Sequence, residues 1–289
     1  MSARVSRRAV LAFSVSLLAC KAKAKKDPSA VSRRARRVVS LSPSTTEAVC
    51  AVGATAQLVG RSRFCDYPPE VAGLPEIGGY VDPNLEAIVA LSPDLVVGAR
   101  GPAGAAIATQ LEERGIATFL PRTETLAEVD SMIRGIGKEL DRAEAAEGAV
   151  AAIATQLAAL DRALASVAPK KVLLLFGVSP VVASGPGSFG AEVLARAHGT
   201  NVVQDGGTYP VLDLEAVVRL DPDVIVDAAV AEEHGAQRIA KDAPGWRDVR
   251  AVKEGRVLAI ADERVLRPGP RIGDGVTVLA RALYPDARL

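Results

Sequence analysis

Residues 84–97 read NLEAIVALSPDLVV, and residues 213–226 read DLEAVVRLDPDVIV. Eight of the fourteen positions are identical. Each copy starts with Asn or Asp, whose side-chain oxygen can accept a hydrogen bond from an unpaired N–H group at the start of a helix. A proline then prevents the helix from continuing, and the apolar run after it is typical of a buried parallel strand. The repeat therefore predicts two similar α/β lobes, each containing one such helix–strand unit.

The sequence between the two copies predicts a helical connector over residues 123–168. Thr125 and Glu128 have the spacing of a capping box, which marks the start of a helix. Apolar residues then recur three or four positions apart over 126–140 and again over 150–167, and each run is one face of a helix. We expect a second, long helix near 143–167, about 37 Å in length at 1.5 Å per residue. The predicted lobes then occupy residues 38–122 and 169–289, and a stiff connector between them would allow only small opening motions.

The charge of the chain is distributed unevenly. Residues 1–37 contain 11 of the 35 Lys and Arg residues and one of the 34 Asp and Glu residues. The other 252 residues therefore carry 24 basic and 33 acidic side chains. An acidic body argues against nucleic acid as a partner. The three cysteines have no metal-ligand spacing, and we expect neither a metal site nor a resident cofactor.

The N-terminus has the pattern of an export signal. Basic residues precede an apolar run over 9–19 that is too short to span a bilayer. The run ends in LLAC, which resembles the lipobox of bacterial lipoproteins, so we expect residues 1–20 to be a signal peptide and Cys20 to be lipidated. An ordinary secretory peptide is the alternative. SRRAVL at 6–11 also resembles a twin-arginine signal, and the export route stays open.

Residues 21–37 are rich in Lys, Arg and Ala, and we interpret them as a disordered basic tether. Such a tether would also favour anionic lipid headgroups near the anchor. Export would allow Cys50 and Cys65 to form a disulfide. Cys50 lies on an apolar helix face, however, so it can equally be a core residue.

Candidate ligand-binding residues lie on predicted loops. Ligands of open α/β sheets bind at the carboxyl ends of the strands. Phe64, Tyr80 and Arg100 follow strand or turn signals in the first lobe. Tyr80 stands four residues before Asn84, as Tyr209 stands four before Asp213, so the repeat places one tyrosine on each lobe at equivalent positions. Each aromatic residue taken singly can be a packing residue; together they indicate the wall of a pocket.

Other features argue against an enzyme. GPGSFG at 185–190 fits the G-x-G-x-x-G pattern, but Pro186 removes a backbone donor that a dinucleotide site would use. His198 and His234 are the only histidines, and no G-x-S-x-G elbow occurs. We therefore expect no catalytic residues.

Several segments together resemble the helical-backbone, or class III, substrate-binding proteins of ABC importers for vitamin B12, iron–siderophores and haem. The matching segments are SPSTTE at 42–47, DYPP at 66–69, the first repeat copy, Phe176–Gly177, Leu214–Glu215 and RPGPR at 267–271. The DYPP segment most resembles that of the vitamin B12-binding member. The resemblance implies two Rossmann-like α/β lobes joined by a single long α-helix, with the ligand in the cleft between them.

The resemblance also implies roles for individual residues. Phe64 matches a position where the B12 binder has Tyr against the corrin, and Tyr80 and Tyr209 match Trp positions that line its cleft. Asp262, Glu263 and Arg264 match the start of its ligand-contact loop in the second lobe. Ala99 and Val182 replace aromatic residues of that binder, which leaves the ligand open. A ferric siderophore, held by Arg100, Arg264 and Arg271, or haem is the alternative to a corrinoid.

Glu86 and Glu215 occupy the first turn of the two repeated helices. One interpretation is local, because an acidic residue there interacts favourably with the helix dipole. The resemblance implies a second role, in which one Glu on each lobe pairs with arginines of an inner-membrane permease dimer. Two equivalent carboxylates suit a two-fold partner. The expected protein is thus a monomeric, lipid-anchored, periplasmic or cell-surface carrier.

Overall fold

The computed structural model describes residues 37–101, 104–228, 239 and 241–289. The predicted signal peptide with Cys20, the tether up to residue 36, and His234 lie outside these residues. Within the described part of the chain, no helix is long and apolar enough to cross a membrane.

The first lobe contains a parallel sheet of four strands in the order β2-β1-β3-β4. Its strands are β1 (Val38–Ser40), β2 (Leu58–Arg61), β3 (Leu95–Val97) and β4 (Ala117–Phe119). Its helices are α1 (Pro43–Ala51), α2 (Leu85–Ala90) and α3 (Gly104–Glu112). Helix α1 begins at Pro43. Ser42 is extended at the N-cap, and proline is well suited to the first helical position because its missing N–H would be unpaired there anyway.

The second lobe contains a mixed sheet of six strands, in which β10-β9-β5-β6-β8 are neighbours and β7 also pairs with β5. Its strands are β5 (Lys170–Val178), β6 (Val181–Ala183), β7 (Gly199–Asn201), β8 (Val211–Leu212), β9 (Val224–Asp227) and β10 (Val257–Ala259). Its helices are α6 (Phe189–Arg196), α7 (Leu214–Leu220), α8 (Arg250–Lys253) and α9 (Ile272–Leu283). The pairings β5–β6 and β6–β8 are antiparallel. The two lobes are therefore similar α/β units but not copies of each other.

The two repeat copies fold alike. The side chain of Asn84 accepts from the N–H of Ala87 at 3.0 Å, and that of Asp213 accepts from Ala216 at 2.6 Å. Helices α2 and α7 follow, and β3 and β9 come after the prolines. The strands lie in separate sheets, one in each lobe, as the repeat predicted.

The turn before each strand is also the same in both copies. The residue before the proline has a positive φ, 46° at Ser92 and 42° at Asp221. Asp94 accepts a hydrogen bond from the N–H of Arg37 at 3.1 Å, and Asp223 accepts one from Lys171 at 2.9 Å. Each aspartate thus joins the end of its turn to the chain at the start of the neighbouring strand.

The connector is a pair of helices, α4 (Leu126–Glu139) and α5 (Ala143–Leu164), rather than one. Thr125 caps α4 by accepting from the N–H of Glu128 at 3.1 Å, as the sequence predicted. The Glu128 carboxylate returns to the N–H of Glu124 instead of that of Thr125. The N–H of Leu126 donates to Glu192 of α6 at 2.8 Å, so the start of the connector is bonded to the second lobe.

A single hydrophobic core runs through the connector into both lobes. It includes Val49 of α1, Ile133 of α4, Leu157 of α5 and Leu279 of α9, all buried. The apolar stripes predicted for the two connector helices form its middle. Separate clusters cover the outer faces of the two sheets. Because the central core is continuous, the lobes are braced against each other by packing as well as by the chain.

Candidate functional site

A cleft of about 520 Å³ lies between the lobes. Residues from the first lobe, the start of the connector and the second lobe line it: Ser42, Pro43, Ser44, Phe64, Tyr80, Ala99, Thr123, Glu124, Phe176, Phe189, Gly190, Tyr209, Ala228, Ile260, Asp262, Glu263, Leu266, Arg267 and Pro268. This volume lies in the usual range for small-molecule sites. A larger ligand would extend beyond the mouth of the cleft.

Aromatic side chains from both lobes form much of the wall. Phe64 is 49% exposed and Tyr209 is 48% exposed, so a large part of each side chain is accessible. Tyr80, at the position equivalent to Tyr209, also lines the cleft. Phe176 meets Tyr209 edge to face with 5.5 Å between ring centroids. Phe176 and Phe189 were not predicted as cleft residues, because within the sequence they read as the end of a buried strand and part of a glycine-rich loop.

The Glu124 carboxylate meets the tyrosine of the second lobe. The hydroxyl of Tyr209 donates to its Oε2 at 3.1 Å. Burial, followed by the negative charge of Glu124, raises the pKa of Tyr209 to about 12. The same two causes raise the pKa of Tyr80. Both tyrosines are therefore neutral hydrogen-bonding groups at physiological pH. Glu124 went unnoticed in the sequence because it sits beside a capping box and carries no motif.

The predicted contact loop of the second lobe lies at the cleft in part. Asp262 and Glu263 line it, but Arg264 does not. Arg264 instead donates from its Nε to Asp262 at 2.9 Å and holds the pKa of that carboxyl below its usual range. Glu263 is paired with Arg267. The carboxylates of this loop are thus each matched by a guanidinium.

Arg100 is exposed and lies outside the cleft lining. Its backbone N–H donates to the carbonyl of Pro121 at 2.8 Å, which joins the ends of β3 and β4. Arg271, the other cation considered for an anionic chelate, is bonded to Glu47. The arginines expected to hold such a chelate are therefore outside the lining or already paired.

An ion-pair cluster connects the lobes beside the cleft. Glu47 of α1 is almost fully buried and accepts from Arg267 Nη1 at 3.0 Å and from Arg271 Nε at 2.8 Å. The guanidinium of Arg271 also stacks on Tyr67, 3.8 Å from the ring centroid. Two arginines of the second lobe thus bind one carboxylate of the first. Their separation of more than 200 residues gives no local signal in the sequence.

Glu86 and Glu215 lie on α2 and α7, outside the cleft. The carboxylate of Glu215 is 90% exposed and 3.9 Å from Arg219. One turn further on, the equivalent residues Val89 and Val218 are 36% and 42% exposed. Each lobe therefore presents an acidic group and an exposed valine on the same kind of helix.

The described histidine, the two described cysteines and the glycine-rich loop lie outside the cleft lining, apart from Phe189 and Gly190 of that loop. In the described residues no group of three His, Cys, Asp or Glu side chains is placed to hold a metal ion. The ring of His198 bonds the carbonyl of Val167 at 2.7 Å. Cys50 and Cys65 are free thiols, and burial raises the pKa of both. The glycine-rich loop follows the antiparallel strand β6, so it does not belong to a βαβ unit of the dinucleotide-binding kind.

A family model for periplasmic binding proteins matches residues 38–263, which is most of both lobes and the whole connector. The chain belongs to this periplasmic binding protein family. The family is one of exported binding proteins, in agreement with a fold of two lobes around a cleft.

The similar proteins include ones named for binding vitamin B12 or heme and one named as an ABC transporter substrate-binding lipoprotein. The vitamin B12-binding protein of Salmonella typhimurium is 33% identical over 250 residues, covering 86% of this chain and 90% of that protein. An uncharacterized ABC transporter substrate-binding lipoprotein of Bacillus subtilis, YvrC, is 29% identical, covering 89% of this chain and 82% of that one. A periplasmic heme-binding protein of Pseudomonas aeruginosa has a similar structure, with a TM-score of 0.77, 30% identity, and coverage of 88% and 94%.

Proposed function

We propose that this protein captures a corrinoid, cobalamin or a close relative, in its cleft and delivers it to the permease of an ABC importer. No turnover is needed for this role, and no catalytic residue is assigned. The main support is the cleft itself, where the described residues contribute aromatic rings from both lobes and three carboxylates to the lining. Flat rings suit the face of a macrocycle, and carboxylates accept from the amide side chains of a corrinoid.

Haem is the second candidate, because tyrosine can ligate haem iron and the cleft holds Tyr80 and Tyr209. Two observations favour the corrinoid. The pKa of Tyr209 is raised to about 12, which opposes the phenolate that would bind ferric iron. Among the described lining residues the one arginine is Arg267, which is already bonded to Glu47 and Glu263 and so is not free for a propionate.

Delivery is assigned to the surfaces that carry Glu86 and Glu215. They occur at equivalent positions of the two repeat copies, so a two-fold permease can bind both with the same type of site. Charge pairing at such exposed positions would act mainly on association and orientation. We propose that Cys20 carries a lipid and that residues 21–37 tether the binding lobes to the membrane surface.

Calorimetric titration of the purified protein with cyanocobalamin and with haem tests the proposal. We expect saturable one-to-one binding of cyanocobalamin and weaker binding of haem. Tighter binding of haem would select the second candidate. If neither compound nor a ferric siderophore produced a binding isotherm, the role as a chelate carrier would be wrong.

A further inference from the structure

We propose that Glu124 acts as a charge filter of the cleft. Its carboxylate accepts a hydrogen bond from an amide of the ligand and repels a ligand that has a carboxylate in place of that amide. This inference rests on the proposed function and adds to it the residue that distinguishes an amide-bearing corrinoid from its acidic relatives. It depends on the difference between Glu124 and the other acidic residues of the lining.

The other two carboxylates that the described residues bring to the lining are matched by cations. Asp262 is bonded to Arg264 by both of its oxygens, and Glu263 is paired with Arg267. Their charges are largely cancelled within the second lobe. An incoming anion would therefore meet little net field from this loop.

Glu124 has a different environment. Among the described residues, the donor bonded to its carboxylate is the neutral hydroxyl of Tyr209, and no Lys or Arg lies within ion-pair distance. The nearby Arg122 is paired with Glu128 instead, at 3.0 Å. A carboxylate has more acceptor positions than the single one that Tyr209 uses. Glu124 thus brings an uncompensated negative charge and spare acceptor capacity to the cleft.

The surroundings strengthen the effect of this charge. Phe176, Phe189, Ile260 and Leu266 contribute apolar surface to the lining. Tyr209 is fixed by its contact with Phe176 as well as by its bond to Glu124. In such a partly apolar cleft a charge acts more strongly on a bound group than it would in water. An amide N–H placed there gains a charge-assisted hydrogen bond, whereas a carboxylate is repelled.

The experiment compares two ligands of nearly the same shape, cyanocobalamin and the monocarboxylate made by hydrolysing one of its peripheral amides. Each isomer of the monocarboxylate is titrated separately by calorimetry into the wild-type protein and into Glu124→Gln. We expect the wild type to bind at least one isomer roughly tenfold more weakly than cyanocobalamin, a difference of one decade in Kd. In Glu124→Gln that ratio should fall below about threefold, and cyanocobalamin should bind within about fivefold of its wild-type affinity.

Two further variants make the assignment specific. Glu124→Asp keeps the charge and should keep most of the discrimination. Glu113→Gln removes an exposed carboxylate just beyond α3 and should leave the ratio unchanged. Two results would contradict the proposal for Glu124: every isomer binding the wild type as tightly as cyanocobalamin does, or Glu124→Gln keeping the full discrimination. Neither result would contradict the proposed carrier function. Failure of the wild type to bind cyanocobalamin at all would instead defeat the proposed function and this inference with it.

Discussion

The carboxylate of Glu47 in the first lobe accepts a hydrogen bond from the guanidinium of Arg271 in the second, with 2.8 Å between Oε2 and Nε. Arg267 binds the same carboxylate at 3.0 Å. The Glu47 side chain is 2% exposed, so the pairing takes place away from solvent. This cluster and the shared core both connect the lobes and so help to set the geometry of the cleft.

Replacing Glu47 by Gln should destabilise the protein strongly. Arg271, which is mostly buried, would lose its counter-charge, and Arg267 would keep Glu263 but lose its buried partner. Breaking a buried pair typically costs about 3–5 kcal/mol. Urea unfolding followed by circular dichroism measures the loss. Glu147→Gln is the matched control, because it breaks the exposed Arg134–Glu147 pair and should cost less than about 1 kcal/mol. Equal effects of the two substitutions would contradict the role given to the cluster.

The lobes should unfold together. Leu111 is buried in the outer cluster of the first lobe, and Trp246, the only tryptophan, is buried in the outer cluster of the second. Leu111→Ala should lower the unfolding free energy by about 2–5 kcal/mol and shift the transition reported by Trp246 fluorescence equally. Gln110→Ala, on the exposed side of the same helix, is the control. A Trp246 transition that stayed in place would show that the lobes unfold independently.

Tyr209 should titrate far above an ordinary tyrosine. The absorbance difference between the wild type and Tyr209→Phe isolates its ionisation, and its midpoint should lie at about 12. The pKa of Tyr209 in the folded state exceeds its value of about 10 in the unfolded state. Its contribution to the unfolding free energy is therefore fully present below pH 10. That contribution is lost as the pH rises from 10 to about 12. In Glu124→Gln the midpoint should fall but stay above 10, since burial is the larger cause. A midpoint near 10 in the wild type would mean that the hydroxyl is not held as described.

Docking should be separable from ligand binding. Glu86→Ala combined with Glu215→Ala should leave the ligand Kd unchanged, because neither residue lines the cleft, while uptake through the importer falls. Val89→Ser combined with Val218→Ser should lower uptake in the same way, since the valines lie one turn from the glutamates. Glu113→Ala is an exposed control that should have no effect on either quantity. Loss of ligand affinity in the glutamate variant would show that the docking assignment is wrong.

The sequence predicted those parts of the molecule that have a local signal. The start of α4 at the Thr125 cap was predicted, because a capping box is a pattern of neighbouring residues. Both repeat units were predicted for the same kind of reason. Strands β6, β7 and β8 were not, since two or three residues are too few to show a period.

The cleft was predicted in part. Phe64, Tyr80 and Tyr209 were found because they are conspicuous aromatics on loops, and the repeat relates the two tyrosines. Glu124 and the Glu47 cluster were missed, because their importance comes from partners 85 and more than 200 residues away. The resemblance placed Arg264 in the site, but its guanidinium donates hydrogen bonds to Asp262 instead of lining the cleft.

The continuous core has a consequence for how cargo leaves. Because one hydrophobic core joins the two lobes, we expect thermal motion alone to open the cleft only rarely. Under the proposed function we then expect release to require the permease to separate Arg267 and Arg271 from Glu47. Such a protein should lose its ligand slowly while it is free and faster once it is bound to the permease.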